Sequence, residues 1–337
     1  MPRQLRVSVT EYHTAGEPFR IVTGGTGPIL GQTILEKRRF AQERLDDVRR
    51  LIINEPRGHA DMYGCFITEP VTAGAAFGTL FFHNEGYSTA CGHGTIALAT
   101  WAIEQGIVEP ADTGHTVITI DVPSGPVQAV AQVKDDRVTS VRFRNVPAFV
   151  YATDIPVASE AGDLVADVAF GGAFYAIVDA GELGVPVAPE NLDKLIRLGR
   201  SIKAAIMNKL DVRHPEEPEL QGVYGVIFCQ REPGQDGRMC QRNVTIFADG
   251  EVDRSPCGSG TSARLAHLFH HGELGVGDEL LHRSIIGTEF TGRVMAQVSS
   301  AGHDAVLTEV MGSAHLTGTH QFVLEPGDPL GTGFLLR

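Results

Sequence analysis

Two segments of the chain place apolar residues on one face of a helix. They cover residues 34–53 and residues 191–210. In both segments the apolar positions recur every three or four residues, which is the period of an α-helix. The pattern therefore predicts one long amphipathic helix in each segment. The apolar positions are Ala41, Leu45, Val48 and Ile52 in the first segment, and Leu195, Leu198, Ile202, Ala205 and Ile206 in the second.

Downstream of each amphipathic segment, the pattern changes to short runs that are typical of β-strands. Apolar and β-branched residues alternate or cluster there between Gly, Pro and Asp residues. These runs predict strands at residues 127–133 and 138–150, and again at residues 289–298 and 305–316. The order of predicted elements is thus the same early and late in the chain, which indicates an internal repeat.

A cysteine-containing motif marks this repeat. The segment Cys91–Ala97 recurs as Cys257–Ala263, and five of the seven positions are identical. Each copy leads into a helical pattern that stops at a glycine, Gly106 in the first copy and Gly272 in the second. Glycine is common just beyond the end of a helix, so both helices are predicted to end there. The two cysteines, like the two glycines, are 166 positions apart.

The repeat predicts an α/β (α+β) fold of two similar, pseudo-symmetric domains. We expect residues 1–150 to form the N-terminal half, which carries Cys91, and residues 151–337 to form the C-terminal half, which carries Cys257. The last residues could pack back on the first half. A chain of 337 residues suits two domains of roughly 100–200 residues each. Similar domains usually meet at a cleft where ligands bind, so we expect the active site in that cleft.

Charge and composition exclude several classes of protein. The formal net charge of −13 disfavours a nucleic-acid or anionic-membrane partner, because phosphate contacts need an excess of Lys and Arg. No apolar run approaches the roughly 18 residues that a membrane helix needs. Five cysteines at irregular spacings do not suggest a disulfide framework, which favours a reducing compartment. We therefore expect a cytoplasmic protein without a nucleic-acid or membrane partner.

The start of each repeated helix offers anion-binding chemistry. The first N–H groups of a helix have no partner within the helix, and the helix dipole adds to their attraction for an anion. The glycines of the motif allow a ligand to approach the backbone closely. The same field favours thiolate over thiol, so we expect it to lower the pKa of both motif cysteines. The residues predicted to bind a carboxylate are Gly92, His93, Gly258 and Ser259.

Two thiols on opposite sides of one carbon suit a two-base racemase. One thiolate would remove the proton α to a carboxylate, and the opposing thiol would deliver a proton to the other face. Because the two groups interact, they would titrate as a pair. On this hypothesis Cys91 and Cys257 are the acid/base residues.

Several segments resemble the proline racemase family. Residues 84–94 resemble its first catalytic segment, and residues 253–261 resemble its second. Residues 13–18 are similar to the opening of that family, and residues 312–337 are similar to its end. The resemblance therefore covers essentially the whole chain.

The resemblance implies a fold similar to that of diaminopimelate epimerase, in which each half is a sheet wrapped around a central helix. It also implies a homodimer that acts on a small, proline-like amino acid and uses no cofactor or metal. Cys91 and Cys257 match the two acid/base residues of the family. Asp253 matches the residue that receives the ring amine of the substrate, and His93 lies beside the first base.

The resemblance leaves two activities open. Racemases and 4-hydroxyproline 2-epimerases of the family keep two cysteines, or a serine and a cysteine, whereas trans-3-hydroxy-L-proline dehydratases carry threonine at the second position. Cys257 therefore favours inversion of the α-carbon of proline or hydroxyproline. The segment 84–88 and the tail segments 314–319 and 334–336 resemble the dehydratase branch more closely. Dehydration with Cys91 as the base is thus the alternative, and an amino-acid-binding protein without catalysis is a distant one.

Other candidate residues have structural interpretations. His267, His270 and His271 have the spacing of metal ligands on a helix, but no cysteine or carboxylate pattern nearby completes a site. We therefore predict no metal there. The other cysteines are predicted to be inert, Cys65 and Cys229 in strands of the core and Cys240 in a loop.

Overall fold

A computed structural model of the chain describes residues 5–336, and the extreme ends of the two predicted halves, residues 1–4 and Arg337, lie outside this range. Strands make up most of the described chain. The first part of the chain forms β1 (Leu5–Thr14), β2 (Glu17–Gly24), β3 (Tyr63–Thr68), β4 (Phe77–His83), β5 (Gly86–Tyr87), β6 (His115–Val122), β7 (Gly125–Lys134) and β8 (Arg137–Arg144). The later part forms β9 (Ala148–Ser159), β10 (Gly162–Phe170), β11 (Phe174–Asp179), β12 (Val223–Gln235), β13 (Arg238–Phe247), β14 (Glu251–Asp253), β15 (Glu279–Arg283), β16 (Glu289–Ser300), β17 (His303–Gly312) and β18 (Ala314–Leu324).

The helices are fewer and fall at corresponding places in the two halves of the sequence. They are α1 (Ile34–Arg44), α2 (Asp46–Ile53), α3 (Gly92–Glu104), α4 (Leu192–Lys209) and α5 (Gly258–His270), with a short 3-10 turn at Pro189–Asn191 before α4. None of the helices in residues 5–336 is long and apolar enough to cross a membrane.

The described chain divides into two compact units. The first unit contains the described residues up to Val141 together with those from Ser313 onward, and the second is Arg142–Gly312. The expected division at residues 150/151 falls inside β9, which pairs with β10 and so belongs to the second unit. The division lies nearer the N terminus because strand pairing, rather than the sequence midpoint, decides which unit holds β9.

The first unit is a sheet built around α3. Its strands follow the order β18–β1–β2–β3–β4–β6–β7, with β5 paired to β4. All neighbours are antiparallel except β2 with β3 and β4 with β6. The last strand pairs with the first from Ala314 opposite Thr14 to Leu324 opposite Leu5, so the C-terminal segment completes this sheet. The helix α3 contacts β1, β2, β7 and β18 and is buried along nearly its whole length.

The second unit repeats this arrangement around α5. Its strands follow the order β9–β10–β11–β12–β13–β15–β16–β17, with β14 paired to β13. The parallel neighbours are β11 with β12 and β13 with β15, which match the two parallel pairs of the first unit. Pairing of β17 with β9 closes the sheet. The helix α5 contacts strands on several sides, and the prediction of a sheet wrapped around a central helix is confirmed in each unit.

The local predictions are confirmed in some segments and wrong in others. The glycines that end the central helices are confirmed, since Gly106 and Gly272 both have positive φ, at 67° and 70°. The helix predicted at residues 191–210 is confirmed as α4. The single helix predicted at residues 34–53 is wrong, because it breaks at Leu45 into α1 and α2. Leu45 leaves the helical region at ψ 5°, while two aspartates open the next helix at its positive dipole end.

Two runs that were each predicted as a single strand are interrupted, and each contains parts of two strands. The run predicted at residues 138–150 contains β8 and the start of β9, and the run at residues 305–316 contains most of β17 and the start of β18. Both breaks fall at the same place in the repeat. Apolar pattern alone does not reveal them, because the strands on either side of each break have the same alternation.

Candidate active site

The side chain of Cys91 lies at the first end of α3. Cys91 is the N-cap residue, with φ −153° and ψ 106°, and its sulfur accepts a hydrogen bond from the N–H of Gly94 at 3.2 Å. The carbonyl of Cys91 accepts bonds from the N–H and the hydroxyl of Thr95, at 3.0 and 2.8 Å. The residue is 5% exposed. The thiol is thus held at the helix start predicted from the sequence.

The structure places the ring of His93 beside this thiol. Both ring nitrogens lie 3.5 Å from the sulfur of Cys91. The ring packs edge-on against Phe19 and Tyr63, and the carbonyl of His93 accepts a hydrogen bond from the hydroxyl of Thr14 at 2.9 Å. These contacts fix the position of the imidazole, so His93 is placed to exchange hydrogen bonds with the thiol.

The second thiol, that of Cys257, lies at the corresponding end of α5, but the backbone conformation of Cys257 differs from that of Cys91. Cys257 has φ 62° and ψ 102°, a conformation that residues other than glycine rarely adopt. Such strain persists only where the surroundings hold the chain firmly. The N–H of Cys257 donates to the hydroxyl of Ser255 at 3.1 Å, and its carbonyl accepts from the N–H of Thr261 at 2.7 Å. Hydrogen bonds to both the N–H and the carbonyl of Cys257 therefore hold its backbone, and with it the position of the sulfur.

The carboxylate of Asp253 is buried next to this segment. It is 4% exposed, at the end of β14, and its Oδ1 accepts bonds from the N–H and the hydroxyl of Ser255, at 2.8 and 2.7 Å. Burial raises the pKa of Asp253 to about 6, against the lowering by Ser255 and Arg254. A carboxylate that has lost its hydration gains more from a cationic partner than an exposed carboxylate does.

Burial also raises the pKa of the Cys257 thiol, and the charge of Asp253 raises it further. The N–H of Gly260 and the hydroxyls of Thr245 and Tyr175 act in the opposite direction. The expectation that the helix start lowers this pKa is therefore wrong for Cys257. The loss of water around the sulfur outweighs the helix field, which the sequence pattern does not reveal.

The remaining predicted residues lie at the two helix starts. Gly92 and Gly258 are the first residues of α3 and α5, where N–H groups have no carbonyl partner one turn earlier in the helix. The hydroxyl of Ser259 is bonded to the hydroxyl of Tyr175 at 2.7 Å. The structure thus groups the predicted residues into two sets, one around Cys91 and one around Cys257.

Near each thiol lie residues to which the sequence pattern assigned no role. The Tyr175 hydroxyl lies 3.8 Å from the Cys257 sulfur, although its apolar strand gave no signal of a polar role. The positions Gly94 and Gly260 were visible only as part of the motif. A Cβ built at Gly94 would lie 2.8 Å from the Cys91 sulfur, and one at Gly260 would lie 2.9 Å from the Cys257 sulfur. Glycine is therefore needed beside each thiol.

The histidine cluster of α5 gains a carboxylate that the sequence did not reveal. Asp167 of β10 places Oδ2 2.7 Å from His267 Nε2 and 3.0 Å from His271 Nε2, so the statement that no carboxylate lies nearby is wrong. Arg264 Nη1 lies 2.7 Å from His267 Nδ1. Because arginine only donates, Nδ1 accepts and Nε2 carries the hydrogen directed at Asp167. That tautomer leaves Nε2 no lone pair for a metal, so the donor set does not fit one.

The other cysteines take no part in these clusters. Cys65 lies in β3 and Cys229 in β12, and both are buried as predicted. Burial raises the pKa of Cys65 to about 12, which keeps it a neutral thiol. Cys240 was predicted in a loop, which is wrong, because it is a buried residue of β13. Polar neighbours in the sequence concealed this strand.

Comparison with known proteins shows which family shares this sequence and fold. The chain matches the family model described as proline racemase over residues 9–335. It is 48% identical over 324 residues to a protein named trans-3-hydroxy-L-proline dehydratase from Bacillus thuringiensis subsp. konkukian, with 96% of each chain covered. It is 46% identical over 332 residues to a protein named 3-hydroxyproline 2-epimerase from Burkholderia multivorans, with 98% of each chain covered.

A solved structure extends the similarity to three dimensions. The crystal structure of a hydroxyproline epimerase from Agrobacterium vitis, with bound trans-4-hydroxy-L-proline, superposes with a TM-score of 0.91 at 33% identity. The match covers 98% of this chain and 96% of that one. The sequence match and the shared fold both run through the two cysteine segments from near one end of the chain to the other, and the chain belongs to the proline racemase family.

Proposed function

We propose that this enzyme inverts the α-carbon of a hydroxyproline by a two-base mechanism in which Cys91 and Cys257 are the bases. The observation that carries the proposal is the presence of a thiol at the N-cap of both central helices. In the family, the second cysteine accompanies epimerisation. Two relatives named for 3-hydroxyproline chemistry make 3-hydroxyproline the first substrate to test.

Binding of the carboxylate is assigned to the two helix starts. The N–H groups of Gly92 and His93 on α3, and those of Gly258 and Ser259 on α5, are the proposed donors. Donors at a helix N terminus stabilise negative charge, and that charge increases when the α-proton leaves and the electron pair spreads into the carboxylate. The same groups would therefore stabilise the transition state more than the bound substrate.

Binding of the amine is assigned to Asp253. A cationic ring amine against this buried carboxylate would compensate for its lost hydration and hold it ionised. Asp253 is also one cause of the raised pKa of Cys257. Neutralising the carboxylate removes that contribution, so substrate binding would itself make the Cys257 thiolate easier to form. The amine thus connects recognition to activation of the base.

The proposed reaction balances without any other reactant. A thiolate takes the α-proton and becomes a thiol, and the electron pair of the broken C–H bond passes to the carboxylate. The second thiol then gives its proton to the opposite face and becomes a thiolate. The reverse reaction starts from the other α-carbon epimer and follows the same steps in reverse order, so Cys91 and Cys257 each act as acid in one direction and as base in the other.

Dehydration of trans-3-hydroxy-L-proline is the second candidate, and the relative of 48% identity named for that activity favours it. Cys91 would remove the α-proton, the electron pair of the broken C–H bond would form a double bond to C3, and the 3-hydroxyl would leave as water with the proton carried by the Cys91 thiol. The enamine that remains would then tautomerise. No proton is returned to the opposite face, so Cys257 would not be needed as an acid. The product would be a cyclic imine.

Proton NMR in D₂O tests the two activities directly. The reduced protein is incubated separately with trans-3-hydroxy-L-proline, trans-4-hydroxy-L-proline and L-proline. Deuterium at the α-carbon together with signals of the inverted product would support the epimerase. New imine signals from the 3-hydroxy compound alone would replace it with the dehydratase, and no change with any compound would contradict both.

We also propose that the enzyme is a homodimer, as the family resemblance implies, and that it is cytoplasmic, as its cysteine usage suggests. None of the five cysteines forms a disulfide bond, which suits a reducing compartment. Light scattering on the purified chain would measure its mass in solution, and a mass of one chain would contradict the dimer.

A further inference from the structure

The hydroxyl of Tyr175 joins two groups of the second cysteine segment. It lies 2.7 Å from Ser259 Oγ and 3.8 Å from Cys257 Sγ, a distance at which a sulfur hydrogen bond is still made. The side chain is fully buried on β11, and its ring packs edge-on against Tyr224 with centroids 5.8 Å apart. The ring is thus held in place, and the hydroxyl is directed at the thiol.

We propose that Tyr175 is a positioning residue that hydrogen-bonds Cys257 in both of its protonation states and thereby serves the half of the reaction in which Cys257 exchanges a proton. The inference rests on the proposed two-base function and deepens it. It concerns the second base only, because Tyr175 belongs to the cluster around Cys257.

A pair of hydroxyls can serve both states without movement of the ring. When Cys257 is a thiol, its S–H donates to the Tyr175 oxygen, and the Tyr175 hydroxyl donates to Ser259. When Cys257 is a thiolate, the Tyr175 hydroxyl turns to donate to the sulfur, and the hydroxyl of Ser259 donates to Tyr175 in return. Each hydroxyl has one donor and two acceptor sites, so every bond in both arrangements is allowed.

The need for such a donor follows from the burial of the sulfur. Burial raises the pKa of Cys257, so the thiolate depends on the hydrogen bonds that it receives. A purely packing role would not need the hydroxyl, since phenylalanine fills nearly the same space. A buried hydroxyl is unfavourable unless it is hydrogen-bonded, and the bonds of Tyr175 to Ser259 and Cys257 both lie within the second motif.

The test uses Tyr175→Phe, with Tyr151→Phe as the matched control. The control also removes one hydroxyl of the second unit, which donates to the carbonyl of Asp211 at 3.2 Å. Both α-carbon epimers of the active hydroxyproline are prepared with deuterium at the α-carbon, and the isotope effect on the initial rate is measured in each direction. The epimer whose α-proton goes to Cys257 is identified with Cys257→Ser, which should retain α-proton exchange only for the epimer that Cys91 deprotonates.

Loss of the hydroxyl should slow proton transfer at Cys257 by at least about tenfold, the lower end of the effect of one hydrogen bond to a charged group. The isotope effect should then rise for the epimer deprotonated by Cys257 and fall for the other epimer, while Tyr151→Phe leaves both isotope effects unchanged. A general loss of structure would alter both directions alike, so equal isotope effects in Tyr175→Phe would overturn the inference and leave the proposed function intact. Absence of α-proton exchange in the wild-type enzyme would overturn both.

Discussion

Gly260 lies directly against the sulfur of Cys257. A Cβ built at this position would be 2.9 Å from Sγ and 3.0 Å from the Ile227 side chain. The corresponding pair in the first unit, Gly94 and Cys91, has the same relationship at 2.8 Å. Carbon and sulfur do not approach so closely without displacement, so glycine at these two positions gives each sulfur its place at the helix start.

We therefore expect Gly260→Ala to displace the Cys257 sulfur and to lower kcat for epimerisation by more than tenfold. A displacement of about 1 Å at a reacting group is enough for an effect of this size. Gly27→Ala is the control, because a Cβ there meets nothing within 4 Å. Circular dichroism would establish that both variants fold. Near-normal kcat in a folded Gly260→Ala variant would show that the sulfur position is not critical.

Three cysteine variants separate the two candidate reactions. Cys91→Ala should abolish epimerisation and dehydration alike, because both begin with the same proton transfer. Cys257→Thr should lower the rate of epimerisation more than a thousandfold but leave any dehydration of trans-3-hydroxy-L-proline in place. Cys240→Ala, at a buried thiol of β13, is the control and should retain activity. Substantial epimerisation by Cys257→Thr would rule out the thiol as the second base.

Ionisation of Asp253 should set the acidic limb of the activity profile. Its pKa is raised to about 6, and only the carboxylate attracts a cationic amine. We expect kcat/KM to rise as the pH increases from 5 to 7. Asp253→Asn should lose most activity, and its residual activity should not show this rise between pH 5 and pH 7. Asp211→Asn, at an exposed carboxylate, is the control. An unchanged limb in Asp253→Asn would assign it to another group.

The same pKa predicts how stability depends on pH. Because the folded-state pKa of Asp253 lies above its ordinary value of 3.8, the folded protein holds the proton more tightly than the unfolded chain. The stabilisation is complete below about pH 4 and is lost as the pH rises through about 6, which amounts to about 3 kcal/mol. Denaturant unfolding at pH 5 and pH 8 should therefore show a smaller loss of stability for Asp253→Asn than for wild type. An identical loss in both proteins would argue against the buried charge.

The cluster of Asp167, His267 and His271 should stabilise the fold by hydrogen bonds rather than bind a metal. Hydrogen bonds from the histidines lower the pKa of Asp167 to about 2, so its contribution to stability is present above pH 4 and is lost as the pH falls towards 2. Asp167→Asn should lower the free energy of unfolding by about 1–2 kcal/mol at neutral pH. Neither EDTA nor added Zn²⁺ should change the wild-type Tm, and a Tm that falls with EDTA would indicate a bound metal.

Several features of the fold could be predicted because they depend on neighbouring residues. The motif around Cys91 and its copy around Cys257 revealed the repeat, since similar sequences form similar local structures. The ends of α3 and α5 followed from Gly106 and Gly272, because the left-handed turn after a helix is a property of one residue. The sequence therefore determined two similar units, each with a cysteine at the start of its central helix.

Other features depend on residues that are distant in the chain, and only the tertiary structure decided them. Pairing of β18 with β1 joins the last strand to the first, and no local pattern specifies that partner. Tyr175 reaches Cys257 across 82 positions, and Asp167 reaches His267 across 100. The pKa of Cys257 is raised because many segments together exclude water from its sulfur. Burial and long-range contact are collective properties of the folded chain, whereas helix ends and cysteine spacing are already present in the sequence.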